Sequence, residues 1–196
     1  MRDNGGVIPQ MKRFGVLAAG LALTLSGCGG GAGPKGNSAA LPDCPEPKGL
    51  VSIGEKIPID CAFEKLDGGT FRLSDLAGKP AVINFWAAWC TFCIDEMPAF
   101  QKVFAAMGGR VSFVGANLLG VQGETRTVAQ TFARRTGVKY PLIYDEGAIL
   151  LGHFSAGTLL PVTVFVRANG VVVDRKFGPF DEENLREALR THFRIS

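Results

Sequence analysis

Two cysteines separated by two residues, Cys90 and Cys93, stand where a nearly unbroken apolar run gives way to a helical pattern. The run is Ala81-Val82-Ile83-Asn84-Phe85-Trp86, long enough for a buried central strand. From about Cys90, the apolar residues Ile94, Met97, Phe100, Phe104 and Met107 recur at three- and four-residue steps, the spacing of one helix face. A thiol at the start of a helix faces unpaired N–H groups and the positive end of the helix dipole. Both favour the thiolate, which is the nucleophile of disulfide exchange. Cys90, the first and the nearer to solvent, is therefore read as the sulfur that attacks a partner's disulfide. Cys93 lies about one helical turn on, on the same side, and can resolve the mixed disulfide. Two other readings of such a pair exist. Half of a zinc site would need a second pair, and Cys44 and Cys61 form none. A structural disulfide is the other, although a helix N-terminus is a poor place to keep a thiol inert. No metal and no cofactor are expected.

The remaining cysteine, Cys28, belongs to a different pattern. Lys12 and Arg13 precede an uncharged run of 12 residues, Phe14 to Leu25. That is short of the roughly 20 residues a membrane-spanning helix needs, and it reads as an export signal. The run ends in Leu25-Ser26-Gly27-Cys28, which resembles the lipobox of bacterial lipoproteins, whose cysteine becomes the lipid-modified first residue. Residues 1–27 are accordingly expected to be a signal peptide, and residues 28–49, rich in glycine, a flexible tether behind a lipidated Cys28. Met11 is an alternative start. Such a chain faces a compartment that tolerates disulfides. Outside residues 1–27 the charge is 18 basic against 17 acidic residues, which gives no electrostatic case for nucleic acid.

Residues 50–196 read as one domain of alternating strand and helix signals. A short hairpin is expected over Ala62–Lys65 and Thr70–Arg72, around Asp67-Gly68-Gly69. Strands follow at 81–86 and 111–116, with the cysteine helix between them. A helix over 124–135, a short extended piece at 140–144 and a short helix at 148–154 come next. Val162–Val166 and Val171–Val173 flank Asn169-Gly170, a type I′ hairpin signal. Asp181 is placed to cap a final helix.

The stretch Gly78-Lys79-Pro80-Ala81-Val82-Ile83-Asn84-Phe85-Trp86-Ala87-Ala88-Trp89-Cys90-Thr91-Phe92-Cys93-Ile94-Asp95-Glu96-Met97-Pro98 resembles the active-site segment of the membrane-anchored thioredoxin-like proteins of the TlpA/ResA/DsbE group. Gly54-Glu55-Lys56-Ile57-Pro58 and Leu73-Ser74-Asp75-Leu76-Ala77-Gly78-Lys79-Pro80 resemble that group's N-terminal hairpin. Leu160-Pro161-Val162-Thr163 is similar to the loop whose proline is cis in thioredoxin folds. The resemblance spans about Gly54 to Arg194. It implies an α/β thioredoxin fold: a mixed central sheet with flanking helices and an added N-terminal β-hairpin. It also implies thiol–disulfide exchange outside the cytoplasm.

Residue by residue, the resemblance makes Cys90 the attacking and Cys93 the resolving cysteine. It makes Pro161 the cis-proline beside which the Leu160 backbone can pair with a substrate strand. Glu96 matches the glutamate that follows the motif, either a proton relay for the thiols or a first-turn glutamate that merely suits the dipole. Trp89, Thr91, Phe92 and Leu160 are the expected substrate-contacting rim, and Trp86 is assigned to the core. Asn84 stands where thioredoxin has a buried aspartate, so a proton relay would fall to Glu96 or water. If Cys90 and Cys93 pair with each other, Cys44 and Cys61 pair by elimination, as a structural clip or as a second redox couple. The expected function is a lipid-anchored thiol–disulfide oxidoreductase whose partners are exported proteins with cysteine thiols or disulfides and a membrane redox partner. Apocytochrome c cysteines are among the substrates the group suggests. The rivals are an oxidising folding enzyme on the same scaffold and a copper-binding chaperone.

Overall fold

The computed structural model describes residues 44–58 and 60–195. These lie within one compact unit, residues 39–196. The expected signal peptide, Cys28 and residues 29–43 of the expected tether lie outside the described residues. Among the described residues, no helix is long and apolar enough to cross a membrane.

The strand signals become β1 (Ala62–Glu64), β2 (Thr70–Arg72), β3 (Ala81–Trp86), β4 (Ser112–Asn117), β5 (Leu142–Tyr144), β6 (Val162–Val166) and β7 (Val172–Phe177). The helices are α1 (Thr91–Met107), α2 (Arg126–Thr136), α3 (Ile149–Gly152) and α4 (Glu182–Phe193). β1 and β2 form the antiparallel N-terminal hairpin. The other five strands make a mixed sheet in the order β5-β4-β3-β6-β7. β3 runs parallel to β4 and antiparallel to β6, which puts the strand that leads to Cys90 at the centre.

Period-two alternation along β3 divides the core between the two faces of the sheet. Ala81, Ile83 and Phe85 join Leu150, Leu151, Phe154 and the hairpin residues Phe63 and Phe71. Val82 and Trp86 join Met97 and Phe100 of α1, Phe132 of α2 and Leu185 and Leu189 of α4. Three helices thus cover one face, while α3 and the N-terminal hairpin cover the other. Both sheet edges are tied down, a common protection against edge pairing. Leu66 donates its N–H to Leu142 O at the β5 edge, and Gly54 and Ile57 donate to Val172 O and Gly170 O at the β7 edge.

Two local expectations need correction. The β6–β7 connection is not a type I′ turn, because Gly170 alone takes positive φ (83°) and Asn169 does not. The Asn169 side chain instead accepts the Val171 N–H (3.2 Å), and Arg167 N donates to Val171 O across a three-residue loop that ends on the glycine. Nor does the second helix begin at Glu124. Thr125 is its N-cap, accepting the Val128 N–H at 3.3 Å, a role its short hydroxyl fills and a glutamate does not. Glu124 is left in the preceding loop with its side chain buried.

Candidate active site

β3 ends at Trp86, and the chain turns through Ala87, Ala88 and Trp89 into α1. Cys90 is the N-cap of that helix in extended backbone (φ −85°, ψ 103°), and its sulfur accepts the Cys93 N–H at 3.1 Å. Sulfur therefore takes the place that a serine or aspartate oxygen fills at other helix starts. Cys90 and Cys93 are joined by a disulfide with Cα atoms 5.3 Å apart. Cys93 is wholly buried and Cys90 is 6% exposed. Flanking this pair in the chain, Phe92 is 60% and Trp89 37% exposed; Leu159, next to Leu160, is 79% exposed. Trp86 is buried and stacks on Phe132.

The Leu160–Pro161 peptide bond is cis. Phe85 is in register with Val162, so Pro161 falls at the end of the sheet from which the chain departs toward Cys90. Pro161 O accepts from Gly178 N at 2.9 Å, tying this corner to the end of β7.

Glu96 is 1% exposed and lies three residues beyond Cys93, on the same helix face. Its Oε1 accepts from Asn84 Nδ2 (2.7 Å) and its Oε2 from Phe180 N (3.1 Å). Asn84 Nδ2 also reaches Thr163 Oγ1 at 3.4 Å, across the β3–β6 pairing. Burial pushes the Glu96 carboxyl from 4.5 up to about 7; the hydrogen bonds from Asn84 and Phe180, and the charge of Lys176, pull the other way. Lys176 Nζ lies 3.7 Å above the centre of the Phe180 ring. A carboxyl that titrates near neutrality, one turn from a cysteine, can take up or release a proton at physiological pH.

A second buried carboxylate escaped the sequence reading. Glu124 is 2% exposed; its Oε2 accepts the Ala88 N–H (3.1 Å) and its Oε1 accepts from Asn117 Nδ2 (2.9 Å). Burial raises its carboxyl pKa. Its only signal in the sequence was a charged residue immediately before a threonine N-cap, and nothing there says that it folds inward.

Cys44 and Cys61 form the other disulfide, with Cys44 8% exposed and Cys61 fully buried. They sit in the core on the opposite face of the sheet from Cys90 and Cys93. Residues 44–49 carry no helix or strand. Besides the disulfide, His153 Nε2 lies 2.9 Å from Pro45 O and 3.9 Å from Cys44 Sγ, and so holds this segment from the end of α3.

Comparison with known proteins agrees with this fold. The AhpC/TSA family matches residues 53–175. The thiol-disulfide oxidoreductase ResA of Geobacillus thermodenitrificans is 30% identical over 145 residues, 74% of this chain and 80% of that protein. The solved structure of MTB dsbF, in mixed oxidized and reduced forms, superposes with a TM-score of 0.61 at 30% identity, covering 69% of this chain and 98% of that one. A secreted Mycobacterium tuberculosis disulfide oxidoreductase, homologous to E. coli DsbE, gives a TM-score of 0.59 at 26% identity, covering 66% and 94%.

Proposed function

Since the chain belongs to the AhpC/TSA family of thioredoxin-like proteins, and is a thiol–disulfide oxidoreductase like its ResA relatives, we propose that Cys90 and Cys93 are its redox couple and that it works outside the cytoplasm on exported proteins. The observation that carries this is the capping of α1 by the Cys90 sulfur, which places that atom against the Cys93 N–H at the positive end of a helix. In the reducing direction, the Cys90 thiolate attacks one sulfur of a substrate disulfide. A mixed disulfide forms and the first substrate thiolate leaves. Cys93 then gives its proton to Glu96 and attacks Cys90 Sγ. The second substrate thiolate leaves and takes up a proton, the Cys90–Cys93 disulfide closes, and two electrons have passed to the substrate. A membrane dithiol partner returns the couple to its reduced form. The substrate segment lies along Leu160 beside Pro161, with Trp89, Thr91 and Phe92 as its rim.

The export signal pattern, the lipobox at Cys28 and a second buried disulfide support the location, lipid-anchored on the outer face of the cell membrane. The resemblance to the TlpA/ResA/DsbE group makes the haem-attachment cysteines of apocytochrome c one substrate class. The oxidising alternative is separated by the reduction potential: a value well below about −200 mV argues against an oxidant. The substrate test is capture. Cys93→Ser leaves the mixed disulfide unresolved, so cells expressing it should accumulate disulfide-linked adducts of exported proteins at Cys90. Lysates with no adduct after non-reducing electrophoresis and mass spectrometry would remove the exchange reading's support.

Glu96 gives a pH signature. With its carboxyl pushed up to about 7, it is protonated below neutrality and accepts the Cys93 proton only above it. The wild-type rate of insulin reduction should therefore rise through about pH 7, and Glu96→Gln should lose that inflexion while still exchanging slowly. Superimposable profiles of wild type and variant would leave Glu96 as a buried second-turn residue without a proton to move.

A further inference from the structure

Beyond β4, the chain runs through Leu118-Leu119-Gly120-Val121-Gln122-Gly123 before Glu124 and the cap of α2. The loop is tightly wound, with Gly120, Gln122 and Gly123 at positive φ (82°, 49° and 81°). Glu124 closes it with its own backbone, donating N–H to Val121 O and accepting from Gly120 N, each at 3.0 Å. Two bonds then join this loop to the segment that delivers Cys90. Glu124 Oε2 accepts the Ala88 N–H at 3.1 Å, and Trp89 Nε1 donates to Val121 O at 3.2 Å. Behind the carboxylate, Asn117, wholly buried, donates to Oε1 at 2.9 Å.

A water molecule or a neutral side chain would satisfy one backbone amide without the desolvation cost of a buried carboxylate. A carboxylate braced from behind and aimed at Ala88 does more, because it fixes the amide in direction as well as in contact. We propose that Glu124 is a positioning residue for the attacking sulfur. Its carboxylate holds the Ala88 amide, and with it the turn in which Cys90 N donates to Ala87 O at 3.1 Å. The Cys90 sulfur is thereby set over the first turn of α1, where it meets the Cys93 N–H. This rests on the exchange reading of Cys90 and deepens it.

The test compares Glu124→Ala with Glu124→Gln. Glutamine keeps an oxygen for the Ala88 N–H, and its amide can donate to Asn117 Oδ1, which has no partner in the structure, once the Asn117 amide turns over. Alanine keeps neither contact. Insulin reduction should fall on the order of 10-fold or more in Glu124→Ala and return to within a few-fold of wild type in Glu124→Gln. The pH profile of Cys90 alkylation by iodoacetamide should move toward that of free cysteine in the alanine variant and not in the glutamine variant. Folded variants with equal rates and equal alkylation profiles overturn the proposal. Should the alanine variant fail to fold, amide exchange in the wild-type protein decides. The Ala88 N–H should be protected in the native state, and exchange at the rate of an open loop overturns the proposal. Failure of the underlying exchange reading is distinct: it would appear as full activity in Cys90→Ser, whatever the Glu124 variants do.

Discussion

Cys90→Ser should bring insulin reduction down to the uncatalysed rate, a loss on the order of 10³-fold or more. The reason is chemical. A serine hydroxyl can still cap the helix by accepting the residue-93 N–H, so α1 and its packing are retained. An alkoxide is not available near neutral pH, and oxygen does not form the mixed disulfide that carries both electrons. The variant therefore separates chemistry from folding. Its thermal midpoint in a scan of the reduced protein should match that of reduced wild type within a few degrees, while its activity vanishes. Cys93, wholly buried, cannot substitute, because an incoming disulfide has no path to its sulfur. Retention of substantial exchange by Cys90→Ser would place the reacting sulfur elsewhere and overturn the assignment of both cysteines.

The second large effect falls on stability. Removing the other disulfide with Cys44→Ala and Cys61→Ala together should cost about 3 kcal/mol for a loop of 17 residues on the chain-entropy account. In a domain of this size that corresponds to a fall of roughly 6–12 °C in thermal midpoint. Alanine is the better probe than serine, since Cys61 is fully buried and a hydroxyl there would need a partner. The segment from Cys44 would then be held by His153 and by backbone bonds such as Val51 N to His153 O, 2.7 Å. Urea unfolding of the oxidised proteins measures the difference. The exchange rate of the folded double variant should stay at the wild-type level, because the sheet separates this disulfide from Cys90 and Cys93. An unchanged unfolding midpoint would deny the clip its structural role, and a collapse of exchange would make it a second redox couple.

Those two disulfides illustrate what could be read from the chain. The Cys90–Cys93 pair was legible because strand period, helix period and cysteine spacing all fall within one stretch, Ala81 to Met107, and local signals of that kind survive folding unchanged. The antiparallel hairpin at Ala62–Arg72 and the cap at Asp181, which accepts the Asn184 N–H at 2.7 Å, were legible for the same reason. The Asn169-Gly170 turn was misjudged because an asparagine can support either a mirror-image turn or a side-chain bond to the backbone, and the choice depends on how the two strands meet.

Glu96 and Glu124 mark the other limit. Each is a glutamate near a helix start, a place where an exposed carboxylate is ordinary. What makes them different is burial to 1% and 2% exposure and partners outside their own helix turn: Asn84 and Phe180 for the first, Ala88 and Asn117 for the second. The chain alone determined where a cysteine sulfur meets a helix N-terminus, since that takes only neighbours along the backbone. Which carboxylates turn inward to meet that segment was decided by the packing of α1, β6 and the β4–α2 loop around the end of β3, because desolvation and long-range hydrogen bonds exist only once those elements are in contact.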